Sequence, residues 1–411
     1  MRLTAAVILL TLTPVFNCAE YKDYKDYRLY NVQGNNENLK TLDDVLQDYE
    51  DSILLLDGTA DSAQVLVAPS SSAVFNDLAV ERNLKITLVT DDVSELLLSE
   101  KGNERARGKY SFKAYHDVSE MQNFIKNISK AYPEITEVIV AGKSYEGRPV
   151  MGIRINTPTE SNKPVFFIES GIHAREWIGP ATTTYFVHQL LTSANPNITR
   201  LRDQFDWRIF PTVNPDGYQY SYRYERYWRK TRSRSANGCF GADPNRNWDH
   251  NWGQYSSSNR PCDYQTYAGS KPFSEAETRA LRDYLSTIDN LLFYVAFHSY
   301  ASLLLIPYSD STDHVHNYDD LVRVGKVSLE YGKRVANSSY GGPAPAAEVL
   351  YKASGGSMDW VYQALGAPLV YTYELRGDSF HWPASRIPEQ GEEVTQMILG
   401  LADGANALGY F

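Results

Sequence analysis

His173 and Glu176, in the run Gly171-Ile-His173-Ala-Arg175-Glu176-Trp177, place an imidazole and a carboxylate between a predicted strand end and a predicted helix start. Donors at this spacing can share one Zn²⁺; a structural zinc takes four protein ligands, whereas three plus water is the catalytic arrangement. Such a pair alone is equally a surface pair at a helix start, so other donors must support it. His298 closes the apolar run Leu291–Phe297, and Glu374 closes Pro368–Tyr373. His298 by itself reads as a core histidine satisfied by hydrogen bonds, but an ionised carboxylate ending an apolar strand is costly unless it is used. Three separate strand ends therefore offer metal-compatible or acid–base groups.

Two further segments carry charge in suggestive company. Arg223-Tyr-Glu-Arg226-Tyr-Trp-Arg229-Lys230-Thr-Arg232-Ser-Arg234 interleaves cations with aromatics, a pattern read as a nucleic-acid or heparin surface or as a solvated face. Asp243-Pro-Asn245-Arg246-Asn-Trp248 sets an amide beside a guanidinium, planar donors suited to gripping a carboxylate.

The elements that must position these groups alternate. Strands are predicted at Thr136–Ala141, Val150–Asn156, Pro164–Glu169, Asp206–Val213, Leu291–Phe297, Ser302–Pro307 and Pro368–Tyr373, several continuously apolar as in strands buried on both faces. Helices are predicted at Glu176–Thr192, Glu275–Ile288, Asp319–Val335, Ser357–Leu365 and Glu392–Leu401. Asp117-Val-Ser-Glu120 and Ser274-Glu-Ala-Glu277 have the form of capping boxes. This is an α/β chain with a mixed, mostly parallel sheet covered by helices, and chemistry in such sheets collects beyond the carboxyl ends of the strands.

The 411 residues exceed the needs of one small domain, and 43% hydrophobic with 22% charged residues fits a folded globular chain. Residues 1–19 read as a secretory signal, with Arg2 ahead of the apolar Ala5–Leu12, which falls short of the roughly 20 residues that span a bilayer. Sequons at Asn127, Asn197 and Asn337 fit export. Of three cysteines, Cys18 leaves with the signal, and Cys239 and Cys262 remain as a pair in an oxidising compartment. A bridge between them stabilises by about 3 kcal/mol in the chain-entropy model.

The net charge of -10 is uneven: Glu20–Arg107 holds 18 acidic against 9 basic residues, leaving almost nothing for the rest. This segment carries strand-like Gln64–Ala68 and Lys85–Thr90 around a helix-like Val74–Asn83, a small αβ unit. It ends in a polar run with Arg105, Arg107 and Lys109, which reads as a linker or as a target for a trypsin-like protease. The overall acidity disfavours nucleic acid and anionic membranes as partners.

Taken together these residues closely resemble the secreted zinc metallocarboxypeptidases of the pancreatic A/B type in proenzyme form. The resemblance runs along essentially the whole chain and rests on His-x-Arg-Glu-Trp, Trp-Arg-Lys-Thr-Arg, Asp-x-Asn-Arg-Asn-Trp, His-Ser-Tyr, Ala-Ser-Gly-Gly-Ser-x-Asp-Trp and Glu-Leu-Arg, in order. It implies a signal at 1–19, an inhibitory propeptide at 20–107 removed by a trypsin-like protease, and a monomeric catalytic domain at 108–411. It implies His173, Glu176 and His298 as ligands of one Zn²⁺, Glu374 as general base and Arg229 as oxyanion stabiliser. Asn245, Arg246 and Tyr351 would hold the C-terminal carboxylate of a peptide substrate, with Arg175, Tyr300 and Phe380 lining neighbouring subsites and Cys239–Cys262 as the disulfide. Gly377 departs from the family, which places Asp after Glu-Leu-Arg.

Met358 falls where the family places an acid to select C-terminal Lys or Arg. A flexible apolar side chain there favours apolar or aromatic C-terminal residues, because an incoming cation would be desolvated without a partner. A family member that binds C-termini without catalysis conflicts with the intact donor set. A zinc acyl-hydrolase of small N-acylated amino acids would share His-x-x-Glu without the carboxylate-gripping set, and a serine hydrolase conflicts with the lack of Gly-x-Ser-x-Gly.

Overall fold

A computed structural model describes residues 21–35, 38–39, 42, 45–49, 52–58, 61–100 and 110–411. The expected signal and the bonds after Arg105, Arg107 and Lys109 lie outside the described residues. Among the described residues no helix is long and apolar enough to cross a membrane.

The N-terminal unit is an antiparallel sheet of β1 (Arg28–Gln33), β2 (Ile53–Gly58), β3 (Ser62–Val67) and β4 (Lys85–Thr90), in the order β2-β3-β1-β4. Helices α1 (Ser72–Glu81) and α2 (Val93–Glu100) accompany it. Side chains alternate across a strand, and the sequence uses both faces. Tyr30, Val32, Val65 and Val67 pack on Phe75 of α1, whereas Leu29, Leu54, Leu56 and Leu66 join a cluster with Tyr227 and Phe380 of the following unit. The second face is therefore closed by the rest of the chain. β1 and β2 were not legible from local pattern, because buried residues on both faces erase the alternation that marks a strand.

The main unit opens with α3 (Val118–Ala131), whose Asp117/Glu120 capping box is formed. Strands β5 (Thr136–Lys143), β6 (Pro149–Ile155), β7 (Val165–Ser170), β8 (Asp206–Phe210), β9 (Leu291–Ser299), β10 (Leu303–Ile306), β11 (Gly341–Pro345) and β12 (Leu369–Leu375) form one sheet, ordered β11-β10-β12-β9-β7-β8-β6-β5. β8, β7, β9 and β12 run parallel, as does the β10–β11 pair, while β5, β6 and β10 run antiparallel to their inner neighbours. Every residue of β7 and β9 is buried, so both faces are covered. The cover comprises α4 (Ile178–Thr192), α5 (Pro196–Gln204), α6 (Pro215–Arg223), α7 (Ala276–Leu285), α8 (Tyr318–Ala336), the single turn α9 (Ala346–Val349), α10 (Ser357–Leu365) and α11 (Ile387–Ala407).

Three expectations change. The second capping box does not form: Glu275 is the N-cap residue and makes no side-chain cap, and Asn247 instead accepts from the Glu275 amide and the Thr278 hydroxyl. Glu176 stands before α4 in a turn, not within the helix. The middle of the basic run is neither solvated nor a polyanion surface, since Arg226, Arg229, Lys230 and Arg232 are all buried, while Arg223 and Arg234 at its ends are exposed. Arg232 lies 4.5 Å from the ring centre of Trp228 within the run and 3.6 Å from that of Tyr220 just ahead of it, so this cation packs against aromatic faces.

Candidate active site

Because β9 and β12 are parallel, their carboxyl ends arrive together: Glu374 sits directly beside His298 in the register. β7 ends one strand away, and the turn after it carries His173 and Glu176, pinned where the Ala174 amide donates to the Arg229 carbonyl at 3.0 Å. The three expected ligands are all buried, with ligand atoms within 4.8 Å of one another. Glu176 reaches both imidazoles, 2.7 Å to His173 Nδ1 and 3.4 Å to His298 Nδ1. Burial opposes ionisation of Glu176, yet His173 and His298 hold its carboxyl below the usual range. Two imidazoles and one carboxylate converging from short distances fit a catalytic zinc set with a position left for water.

Asp243 organises this set and escaped the sequence reading of its motif. Its Oδ1 lies 3.2 Å from His173 Nε2, and its Oδ2 accepts from Arg229 Nε at 3.1 Å. Burial works against its charge, but Arg229 and His173 keep its carboxyl well below the ordinary range. A carboxylate on the outer nitrogen of a ligating histidine fixes the tautomer that leaves the other nitrogen free for the metal.

A cavity of about 620 Å³ lies over these groups, lined among others by His173, Arg229, His298 and Glu374. Asn245, Arg246 and Tyr351 line the same cavity. Arg246 Nη2 is 3.3 Å from Tyr351 Oη, its Nε donates to the Ser256 carbonyl at 2.9 Å, and Asn245 Oδ1 accepts from the Ser357 amide at 3.0 Å. Gly355 makes this approach feasible: its φ is +73°, and a Cβ there would stand 2.3 Å from the Arg246 carbonyl oxygen.

The description "zinc carboxypeptidase" belongs to the family model, peptidase M14, that matches residues 121–397. The chain belongs to the zinc carboxypeptidase family. It is 42% identical to a zinc carboxypeptidase of Simulium vittatum, over 72% of this chain and 98% of that one. It is 36% identical to zinc carboxypeptidase A 1 of Anopheles gambiae, over 89% and 86%. The crystal structure of carboxypeptidase A from Helicoverpa armigera superposes with a TM-score of 0.84 at 28% identity, covering 95% of this chain and all of that one. The chain is thus a metallocarboxypeptidase, and His173, Glu176 and His298 are the residues that fit its zinc.

The remaining residues around the cavity divide into two groups. Met358, Thr372, Ala346 and Ser309 line the inner end of the cavity, with Thr372 Oγ1 at 3.4 Å from Met358 Sδ. The neighbouring acid, Asp359, does not face this space: it accepts from the Ser309 amide at 2.9 and 3.1 Å, and burial pushes its carboxyl up to about 7. Tyr300 lines the cavity mouth, but Arg175 and Phe380 do not line it. Both are buried, the Arg175 guanidinium 4.6 Å from the Phe380 ring centre and its Nη2 donating to Leu56 O of the N-terminal unit at 3.1 Å. Gly377, the departure from the family, has φ +143°, a region nearly restricted to glycine, which explains why Asp is not found there. Cys239 and Cys262 are bridged, with Cα atoms 5.2 Å apart.

Proposed function

We propose that the chain is a secreted zymogen whose main unit removes apolar or aromatic C-terminal residues from peptides once the N-terminal unit has been cut away. The observation that carries the exopeptidase reading is the shared cavity: a carboxylate grip of Asn245, Arg246 and Tyr351 opens onto the same space as Glu374 and the His173/Glu176/His298 set. A free carboxylate is what distinguishes a chain end, so the grip sets the last peptide bond, and no other, beside the reacting groups.

A bound zinc ion activates water and polarises a carbonyl. Glu374, part-buried beside His298, is positioned to take the proton of the attacking water and return it to the leaving amine. Arg229, held by Asp243 and lining the same cavity, would stabilise the charge that develops on the carbonyl oxygen. Met358 meets the substrate's last side chain with an uncharged surface, and Asp359 offers no free charge because Ser309 caps it.

The zymogen reading is supported by the N-terminal unit lying over the cleft. Asn31, Gln64 and Leu88 line the cavity's outer side, and Gln64 Nε2 donates to the Asp378 carbonyl at 2.6 Å. The structural match to the Helicoverpa armigera enzyme at 95% coverage includes this unit. The test is to cut the purified chain with trypsin and follow release of C-terminal Phe, Leu, Lys and Glu, with and without a zinc chelator. Release of Phe and Leu that the chelator abolishes is expected; indifference to the chelator, or release of Lys ahead of Phe, overturns the reading.

A further inference from the structure

We propose that the main unit carries a preformed carboxylate-binding pocket, built by Arg226 and His381, that Glu100 of the N-terminal unit fills, and that this contact keeps the N-terminal unit docked after the linker is cut. The inference rests on the zymogen reading for its purpose but on separate residues for its geometry.

Glu100 is the last residue of α2 and immediately precedes 101–109, the segment with the cleavable basic residues. A carboxylate at a helix C-terminus opposes the helix dipole, so local structure does not favour it there. Its partners do. Arg226 Nε donates to one Glu100 oxygen at 2.8 Å and Nη2 to the other at 2.5 Å, a two-point fork, and His381 Nδ1 stands 3.1 Å away. The side chains of Glu100 and His381 are 2% exposed and that of Arg226 is 0% exposed. Another ion pair across the boundary, Lys22 with Glu225 at 3.3 Å, is part-exposed at 34% and 17% and so contributes little.

The pocket is preformed because the main unit itself orients every donor. Arg226 Nη1 donates to the Arg175 carbonyl at 2.7 Å and Nη2 to the Phe380 carbonyl at 3.0 Å, and the guanidinium lies 3.8 Å from the Trp177 ring centre. His381 is held through Nε2, 2.6 Å from the Tyr227 hydroxyl. Taking away the carboxylate alone leaves a buried guanidinium without its counter-charge, which is strongly unfavourable until the interface opens to water. Cutting the linker breaks a peptide bond near the latch without touching it. Proteolysis and release are then two steps, and the second is set by Glu100.

The experiment uses the full chain with a specific protease sequence placed between residues 101 and 109. After cleavage, dissociation of the N-terminal unit on dilution is followed by size exclusion, and peptide hydrolysis is followed separately. The native nicked protein stays docked, Glu100→Gln releases about 10-fold or more faster, and Glu95→Gln, an exposed charge on the same helix, behaves as native. Glu100→Asp, which keeps the charge but shortens the reach, falls between. Equal release from native and Glu100→Gln overturns the pocket, as does Glu100→Asp departing as fast as Glu100→Gln. If docking responds to Glu100 while hydrolysis is the same docked and released, the pocket stands and the zymogen reading falls.

Discussion

The inner end of the cleft and its rim meet the N-terminal unit differently. Around Met358, Arg246, Tyr351 and Glu374 the unit leaves a cavity of about 620 Å³. At the rim it makes direct contact: Leu56 occupies Arg175, Phe380 is buried in a shared apolar cluster, and Glu100 is clamped by Arg226. In the proposed zymogen reading, these rim contacts fill the places where the upstream part of a peptide would lie. Among the described residues, these rim contacts comprise a backbone carbonyl, apolar side chains and a buried carboxylate.

Changes at the inner end should affect short and long substrates alike, and changes at the rim only long ones. The largest effect is expected for Glu374→Gln, which should lower kcat about 10³-fold or more on both, measured by steady-state hydrolysis of a blocked dipeptide and of a longer peptide. Next, Met358→Asp should move the ratio of C-terminal Lys to Phe release by roughly 10- to 100-fold, again irrespective of peptide length; an unchanged ratio would remove Met358 from the pocket. Arg175→Ala, assayed after the linker is cut and the N-terminal unit removed, should raise KM for long peptides by about 10-fold and leave blocked dipeptides near native. A matched loss on both would move Arg175 inward.

The smallest effect concerns pH. Burial raises the Glu100 carboxyl, but Arg226 and His381 overcome it and hold it at about 2 in the docked state. Its pKa is depressed by docking, so its contribution is complete above the ordinary glutamate value of about 4.3 and is lost as pH falls toward 2. The charged and titratable groups facing it are Arg226, His381, Tyr21, Tyr115 and Tyr227. The Glu100 contribution to docking of the nicked protein should therefore weaken only as pH falls below the ordinary glutamate value, and Glu100→Gln should flatten that acid limb.

The inner site was legible in the sequence because strand ends mark it. His298 and Glu374 each close an apolar run, and parallel strands bring such ends together whatever lies between them. The Asp117 capping box was legible because all its atoms lie within four residues. Contacts between distant segments were not. Asn247 replaces the expected Ser274 cap from 28 residues away, and Glu100 meets Arg226 across 126. The misreading of the basic run has the same origin: cations spaced between aromatics look identical whether they face water or stack inward, and the partners that decide it, Asp243 and Glu100, stand elsewhere in the chain.

The most direct measurement is the change in hydrolysis by the zinc-loaded enzyme when the linker is cut and the N-terminal unit removed, for two substrates sharing a C-terminal Phe. One is a blocked dipeptide and the other a peptide long enough to cross the rim. Removal should raise hydrolysis of the long peptide about 10-fold or more beyond any rise for the dipeptide, since the N-terminal unit covers the inner cavity without filling it but fills the rim. Equal rises for the two substrates, or no rise for the long one, would contradict that expectation.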